Sequence, residues 1–174
     1  MILAIIDLET TGLDAQKDEI IEIGMVLCNS RDFTILDTFD VKVKPEHPET
    51  GHPKAYEVNG YNEEEWKDAV TLRQALILLT EKAQKATMMS YNVTFDSAFL
   101  QAAFSQTGVE DTMHYLRLDL MTLAWGKLPH SRMASWSLKS VCTFLDIKPE
   151  PAVHRGANGA MKAYEVYRRL TEMT

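Results

Sequence analysis

The amino-terminal part of the chain alternates apolar and polar positions in the manner of β-strands. Residues 1–9, 19–29 and 34–44 are predicted strands, and the third has the period of two expected of a half-exposed antiparallel strand. The polar connection at residues 29–33 is short, so the second and third strands should form a hairpin. Residues 45–60 contain three prolines and two glycines and are predicted to be irregular.

The rest of the chain alternates helical and strand patterns. Apolar residues recur at helical spacing over residues 71–86 and 94–105, with a short buried strand at residues 87–91 between them. Further predicted elements are a strand at residues 115–119 and helices at residues 120–125, 137–145 and 157–172. Three antiparallel strands followed by this alternation predict an α/β protein with a mixed five-stranded sheet flanked by helices.

Length and composition favour a single domain, residues 1–174, because a hydrophobic content of 45% supports one sizeable core. The uncharged apolar runs are too short to cross a bilayer and the N-terminus lacks the order of a secretory signal, so we expect a cytoplasmic protein without membrane contact. Cys28 and Cys142 lie in apolar patterns, which predicts reduced core thiols. The net charge of −7 argues against broad nonspecific adhesion to nucleic acid.

The first candidate for chemistry is the run IIDLETTG at residues 5–12. Asp7 and Glu9 are two positions apart, so both side chains leave the same face of the first strand. The two carboxylates of such a half-buried pair repel each other, and a bound cation relieves this repulsion. Carboxylate oxygens are suitable ligands for Mg²⁺ or Mn²⁺. A strand end with two exposed acids is the simpler interpretation of this run by itself.

Two further segments place polar groups where one element ends and another begins. The run SYNVTFD at residues 90–96 puts Asp96 beside the carboxyl end of a strand, where open α/β sheets bind ligands. Asp96 can equally serve the dipole of a helix that Thr94 caps. The run VHRGANGA at residues 153–160 opens the last helix, and His154 is either a loop residue or a base that accepts a proton from water.

Together the three runs resemble the DEDD (DnaQ-like) exonuclease superfamily, in the His-bearing branch that contains proofreading subunits such as that of DNA polymerase III and RNA-trimming nucleases. The resemblance covers nearly the whole chain, and residues 55–60 and 137–142 also stand where related segments occur. It implies a ribonuclease H-like fold and hydrolysis of phosphodiester bonds from a 3′ end, with release of nucleoside 5′-monophosphates.

The resemblance also implies roles for individual residues. Asp7, Glu9 and Asp96 would hold two divalent metal ions, Mg²⁺ or Mn²⁺, and His154 would be the general base. The groups implied to help hold the terminal sugar and base are main-chain groups near Thr10, Thr11, Gly12 and Leu13 and the side chain of Phe95 or Asn92. Single-stranded DNA is the favoured substrate, an RNA-trimming enzyme is the alternative, and the sequence leaves a polymerase partner and the oligomeric state open.

One departure from the family pattern stands out. The family's fourth acid lies five residues after the histidine, and here that position is Gly159. Asn158 is not a simple substitute, because one residue of helix rotates a side chain by roughly 100°. The chain is therefore an enzyme with weakened metal binding, a relative that binds 3′ ends or accompanies a polymerase without much turnover, or a protein altered at this position.

Other residues have competing interpretations. Asp119 ends a predicted strand, and we expect it to cap the next helix more readily than to bind a metal ion. Trp125 lies in an apolar helical pattern and is predicted to be core, whereas Trp136 is the better candidate for stacking on a base. Arg132 and Arg155 are candidates for phosphate contacts.

Overall fold

The computed structural model describes residues 1–173 and places five strands in one mixed sheet. The strands are β1 (Ile2–Thr10), β2 (Ile20–Asn29), β3 (Ile35–Lys42), β4 (Thr87–Ser90) and β5 (Arg117–Asp119). Their order is β3-β2-β1-β4-β5, with antiparallel pairing among the first three and parallel pairing of β1 with β4 and of β4 with β5. The predicted mixed sheet and the hairpin of β2 and β3 are confirmed.

Helices cover both faces of the sheet. They are α1 (Pro53–Asn59), α2 (Leu72–Lys82), α3 (Val93–Thr107), α4 (Leu120–Lys127), α5 (Leu138–Phe144) and α6 (Gly156–Glu172). Helices α2 and α3 pack on the core that contains Ala4 and Ile6, whereas α4, α5 and α6 pack on the core that contains Leu3 and Ile5. Asp7 shares the parity of Leu3 and Ile5 along β1, so it faces the side of the sheet that α6 covers.

The start of α6 lies against the sheet at backbone distance. A Cβ atom built on Gly24 of β2 would fall 1.9 Å from the carbonyl carbon of Gly156, and one built on Gly156 would fall 2.6 Å from the Gly24 nitrogen. Side chains at either position would push the helix away, so these two glycines permit the close approach. The first turns of α6 are thereby held next to the middle of β1 and β2.

Helix α1 was not predicted, since we expected residues 45–60 to be irregular, and that expectation is wrong for residues 53–59. Pro53 occupies the first turn, where a missing N–H is tolerated. The His52 ring accepts a hydrogen bond from the Lys54 N–H, and Gly60 ends the helix in the left-handed region at φ 65°. The prolines and glycines that suggested a loop are the residues that bound this short helix.

Smaller differences concern helix ends and single residues. Thr94 does not cap α3: Asn92 precedes the helix with φ 69°, and the Thr94 hydroxyl donates to the Asn92 side chain over 2.9 Å. Cys28 and Cys142 are free and buried, as predicted. Within residues 1–173, no helix is long and apolar enough to span a membrane.

Candidate active site

Three acidic side chains meet at the carboxyl end of the parallel part of the sheet. Asp7 and Glu9 come from β1 and Asp96 comes from the first turn of α3. Glu9 and Asp96 are 8% and 3% exposed, and Asp7 is partly buried. The structure therefore assembles the three acids that the sequence separates by up to 89 positions, in a place where their charges are poorly solvated.

Hydrogen bonds fix Asp96 in this group. One carboxylate oxygen accepts the Leu8 N–H over 3.1 Å, and the other accepts the hydroxyl of Ser90 at the end of β4. The acid thus joins β1 to β4 through its side chain. The alternative prediction was that Asp96 only interacts with the dipole of α3. That role does not account for these hydrogen bonds to two strands of the sheet.

Burial and mutual repulsion hold these acids toward their neutral forms. Burial is the main reason that the pKa of Asp7 is raised well above its usual value, and the charges of Asp96 and Glu9 raise it further. Burial, and then the charge of Glu22, raises the pKa of Glu9 to about 8, against a lowering by Arg155. Burial likewise raises the pKa of Asp96 to about 7, opposed by its hydrogen bonds. The site lacks enough positive charge for its carboxylates.

Glu22 is a fourth buried acid that the sequence analysis did not single out. It lies opposite Glu9 in the β1–β2 ladder and is 1% exposed. One of its oxygens accepts the Gly156 N–H at the start of α6 over 3.0 Å. Burial, and then the charge of Asp40, raises its pKa to about 7. The signal in the sequence was an acid inside the apolar run IIEIG of a predicted strand.

Gly159 lies directly against Asp7. A Cβ atom at position 159 would be 2.2 Å from the Asp7 Oδ2 atom, closer than two such atoms can approach. Position 159 therefore faces the first acid of β1, which is where the family resemblance puts the fourth acid. Asn158, one position earlier on α6, projects in another direction.

His154 lies on the exposed segment that leads into α6. Its N–H donates to the Val58 carbonyl oxygen over 3.0 Å, and the next residue, Arg155, donates to the Asn59 carbonyl oxygen and pairs with Glu65 over 2.9 Å. These bonds tie the histidine segment to the end of α1. Arg155 is therefore occupied by protein groups, which weakens its candidacy for contacting a phosphate.

Asn59 connects the end of α1 to the acidic strand. It is 2% exposed, its amide donates to the Thr10 carbonyl oxygen over 3.0 Å, and its side-chain oxygen accepts the Tyr61 N–H. Sequence reasoning noted residues 55–60 only as a segment found in relatives. A buried asparagine that binds the end of β1 had no local signal in the chain.

A cleft of about 770 Å³ opens beside Glu9. Four of the residues predicted to hold a terminal nucleotide line it, namely Thr10, Gly12, Leu13 and Phe95. Helix α1 forms another wall through Val58 and Asn59, and His52 also lines the cleft. Its walls are mainly apolar with Glu9 at the edge, a composition suited to a flat ring attached to a polar group.

The other two predicted nucleotide contacts lie elsewhere. Thr11 is fully buried: its N–H donates to the Glu19 carbonyl oxygen over 2.8 Å, and its own carbonyl oxygen accepts the His52 N–H over 2.7 Å. Asn92 lines a neighbouring shallow cleft that it shares with Leu13 and Phe95. Asp119 accepts the Thr122 N–H over 2.9 Å and caps α4, which confirms the capping prediction.

The aromatic residues after β5 differ from expectation in one respect. Trp125 is 53% exposed, so the prediction that it belongs to the core is wrong. Its ring lies 4.4 Å from that of His130, which in turn meets the edge of Trp136. The Trp136 carbonyl oxygen accepts the hydroxyl of Tyr91, the residue after β4, so this segment reaches the carboxyl end of the sheet.

The sequence profile of the exonuclease family RNase_T matches residues 4–167. The chain belongs to this exonuclease family. It is 29% identical over 170 residues to a PolC-type DNA polymerase III of Caldanaerobacter subterraneus and 30% identical over 170 residues to one of Thermotoga petrophila. The alignments cover 97% of this chain but only 11% and 12% of those polymerases, so the chain spans about a tenth of their length.

Solved exonucleases share the fold of this family member. Exonuclease I of E. coli in complex with a dT13 oligonucleotide has a TM-score of 0.80 at 15% identity, over 99% of this chain and 41% of that one. The nuclease domain of 3′hExo, a DEDDh family member bound to rAMP, has a TM-score of 0.77 at 20% identity, over 99% and 92%. The predicted family and the ribonuclease H-like sheet are thus confirmed.

Proposed function

We propose that the protein is a metal-dependent 3′-to-5′ exonuclease that hydrolyses single-stranded DNA to nucleoside 5′-monophosphates. The observation that carries this proposal is the group of Asp7, Glu9 and Asp96 at the carboxyl end of the sheet, with raised pKa values and an apolar cleft beside it. Membership of the exonuclease family supports the same chemistry.

The acids suit a divalent metal ion by charge and by ligand type. The charge of Asp96 raises the pKa of Asp7 and of Glu9, and Glu9 raises that of Asp7 further, so a cation would stabilise their ionised forms. Hard oxygen ligands of this kind favour Mg²⁺ or Mn²⁺. Within residues 1–173, no three His, Cys, Asp or Glu side chains already stand at the spacing of a complete metal site. Metal binding would therefore draw Asp7, Glu9 and Asp96 together.

The residues divide the work of hydrolysis as follows. Bound divalent ions would supply Lewis acidity at the scissile phosphate and offset its negative charge. His154 takes a proton from the attacking water as the water oxygen bonds to phosphorus. The bond from phosphorus to the 3′ oxygen breaks, and solvent protonates that oxygen as the shortened strand leaves. The cleft lined by Leu13, Val58 and Phe95 holds the terminal nucleoside and leaves its phosphate beside Glu9.

A basic, aromatic segment favours a single strand as substrate. Residues 120–145 contain no aspartate or glutamate but contain Lys127, Arg132 and Lys139, in a chain of net charge −7. The exposed ring of Trp125 lies in the same segment. Cations that meet phosphates and an exposed aromatic face that stacks on a base are the features by which proteins hold single strands.

The choice of DNA rests on the PolC-type DNA polymerase III relatives, which also motivate a polymerase as partner. The fold by itself does not discriminate, since solved neighbours hold dT13 and rAMP. An RNA-trimming enzyme is the second candidate, and a weakly active protein that binds 3′ ends is the third, favoured by Gly159. Matched substrates separate the first two, because a 2′-hydroxyl is the group that distinguishes them.

The test is digestion of 5′-labelled DNA and RNA oligonucleotides of one sequence with Mg²⁺ or Mn²⁺, with Asp7→Ala as the negative control. We expect a ladder that shortens from the 3′ end, faster on DNA, and no ladder with Asp7→Ala. Faster cutting of RNA would favour the second candidate. Binding to 3′ ends without turnover at high Mn²⁺ would favour the third candidate. A protein that neither bound nor cut these oligonucleotides would refute the proposal.

A further inference from the structure

The segment that carries His154 lies against the helix that forms one wall of the nucleotide cleft. The His154 N–H donates to the carbonyl oxygen of Val58, and Val58 also lines the cleft. A Cβ atom built on Gly60, just after α1, would lie 2.9 Å from the Val153 Cγ1 atom, so the residue before His154 packs directly on the end of this helix. The histidine and the cleft therefore share α1 as a common support.

The guanidinium group of Arg155, the residue after His154, is held by three protein groups. It donates to the Asn59 carbonyl oxygen at the end of α1 and to the Glu65 carboxylate over 2.9 Å. Its central carbon lies 5.2 Å from the centre of the Trp66 ring. Two directional bonds and contact with an aromatic face suit the planar guanidinium, which a lysine does not imitate. These contacts fix Arg155 in one place.

The groups that hold Arg155 are themselves bound to the sheet. Trp66 is 2% exposed, and its indole N–H donates to the Ile21 carbonyl oxygen of β2 over 2.8 Å. Lys42 of β3 lies 4.2 Å from the centre of the Trp66 ring and pairs with Glu65 over 3.4 Å. Arg155 is thus joined to a surface whose position the sheet sets.

The backbone of Arg155 begins α6. Its carbonyl oxygen accepts the Gly159 N–H over 3.0 Å, and Gly159 lies against Asp7. A displacement of Arg155 would therefore move His154 and the first turn of α6 relative to the acids of β1. A shift of about 1 Å in a reacting group can cost about 100-fold in rate, so the place of Arg155 matters for catalysis even without contact with the substrate.

We propose that Arg155 is a positioning residue for His154, and that Glu65 and Trp66 form the surface that holds it. This role rests on the proposed function, in which His154 accepts a proton from water beside the phosphate. The terminal nucleoside occupies the cleft on α1 during that step. Arg155 joins the histidine segment to the same helix, which keeps the base and the nucleoside in one relative position.

Glu65 is the better position for the test, because Arg155 also lowers the pKa of Glu9 and its replacement would disturb the acids directly. The variants are Glu65→Ala, Arg155→Met and the two combined. Glu64→Ala is the matched control, since Glu64 is the adjacent acid and pairs with Lys67 over 2.6 Å. His154→Gln is the reference for loss of the base.

The first measurement is steady-state digestion of a 5′-labelled single-stranded DNA oligonucleotide with Mn²⁺. We expect Glu65→Ala to lower kcat about fivefold and Arg155→Met about tenfold, with little change in KM, because the base is misplaced while the cleft stays intact. The melting temperature should stay unchanged in Glu65→Ala, since a partly exposed ion pair contributes little to stability. Glu64→Ala should behave like the unmodified protein. The double variant should lose no more than Arg155→Met alone, because Glu65 acts through Arg155.

The second measurement needs neither metal nor turnover. Hydrogen exchange of the His154 N–H reports how often its bond to Val58 opens. With EDTA, this exchange should be faster in Glu65→Ala and Arg155→Met than in the unmodified protein and in Glu64→Ala, while the amides of α2 should exchange at unchanged rates.

The outcomes separate this role from the proposed function. If His154→Gln loses activity while Glu65→Ala and Arg155→Met keep the kcat of the unmodified protein, the positioning role is overturned and the exonuclease proposal stands. The role is also overturned if Glu64→Ala loses as much as Glu65→Ala, if the losses multiply in the double variant, or if His154→Gln keeps full activity. An unmodified protein that does not cut overturns both proposals.

Discussion

The metal-free protein should lose stability as the pH rises from about 5 to about 8, and Glu9 should account for much of the loss. The pKa of Glu9 is raised from its usual 4.5 to about 8, mainly by burial and then by the charge of Glu22. Below pH 4.5 the folded and unfolded chains both carry the proton. Between the two values the unfolded chain releases it while the folded chain retains it, so the free energy of unfolding falls.

The magnitude follows from the difference between the two pKa values. At 1.36 kcal/mol per pH unit, a change from 4.5 to about 8 is worth on the order of 5 kcal/mol for this one group. That is a large part of the 5–15 kcal/mol typical of a folded domain. Asp96 and Glu22, each raised to about 7, act in the same direction, so the decline should be steep and should level off above pH 8.

The assay is urea unfolding followed by tryptophan fluorescence, with EDTA, at several pH values from 5 to 8.5. Glu9→Gln should show a clearly shallower decline than the unmodified protein and should be the more stable of the two at pH 8. Adding Mn²⁺ at pH 8 should restore stability to the unmodified protein and much less to Glu9→Gln. The reasoning is refuted if the metal-free protein is as stable at pH 8 as at pH 5, or if both proteins decline in parallel.

Three further substitutions test separate parts of the site. Gly159→Ala places a methyl group 2.2 Å from the present Asp7 Oδ2, so it should displace that carboxylate and lower nuclease activity tenfold or more. The circular dichroism spectrum should stay unchanged, and full activity would contradict the close contact. Asn59→Ala removes the buried hydrogen bond to the Thr10 carbonyl oxygen and should lower the free energy of unfolding by about 1–3 kcal/mol in urea titrations. An unchanged free energy of unfolding would contradict this prediction. Trp125→Ala should weaken binding of single-stranded oligonucleotides by about 1–3 kcal/mol with an unchanged melting temperature. Equal affinity of the variant and the unmodified protein would show that Trp125 does not contact the bound strand.

The sheet was predictable because its signals are local. The alternation in β3 and the apolar runs of β1 and β2 identify strands within windows of about ten residues, and the short polar turn at residues 29–33 fixes how β2 and β3 pair. Asp7 and Glu9 were predictable for the same reason, since a spacing of two on a strand places both side chains on one face. Their meeting with Asp96 needed the family resemblance as well.

Elements with weak local signals were missed or misjudged. Helix α1 has only seven residues, and Asn59 is its one buried residue. The sequence therefore has no apolar stripe there that would predict a helix in a segment rich in proline. Trp125 has apolar neighbours on α4, yet its ring lies outside the core beside His130. In both cases the deciding factor is which face of a short helix meets the rest of the protein, which periodicity over two turns does not define.

The acids around Asp7 show why the site was only partly predictable. Which residue of α6 faces Asp7 follows from a register counted from His154, and the approach of Gly24 to Gly156 brings that part of the helix onto β1. The register is written locally in the chain, whereas the contact between the two glycines joins β2 to α6. The place of Glu22, opposite Glu9 and bonded to the Gly156 N–H, depends instead on how β1, β2 and α6 pack together. The missing acid on α6 is therefore visible in the sequence, whereas the acids that surround Asp7 are identified only once distant segments have been brought together.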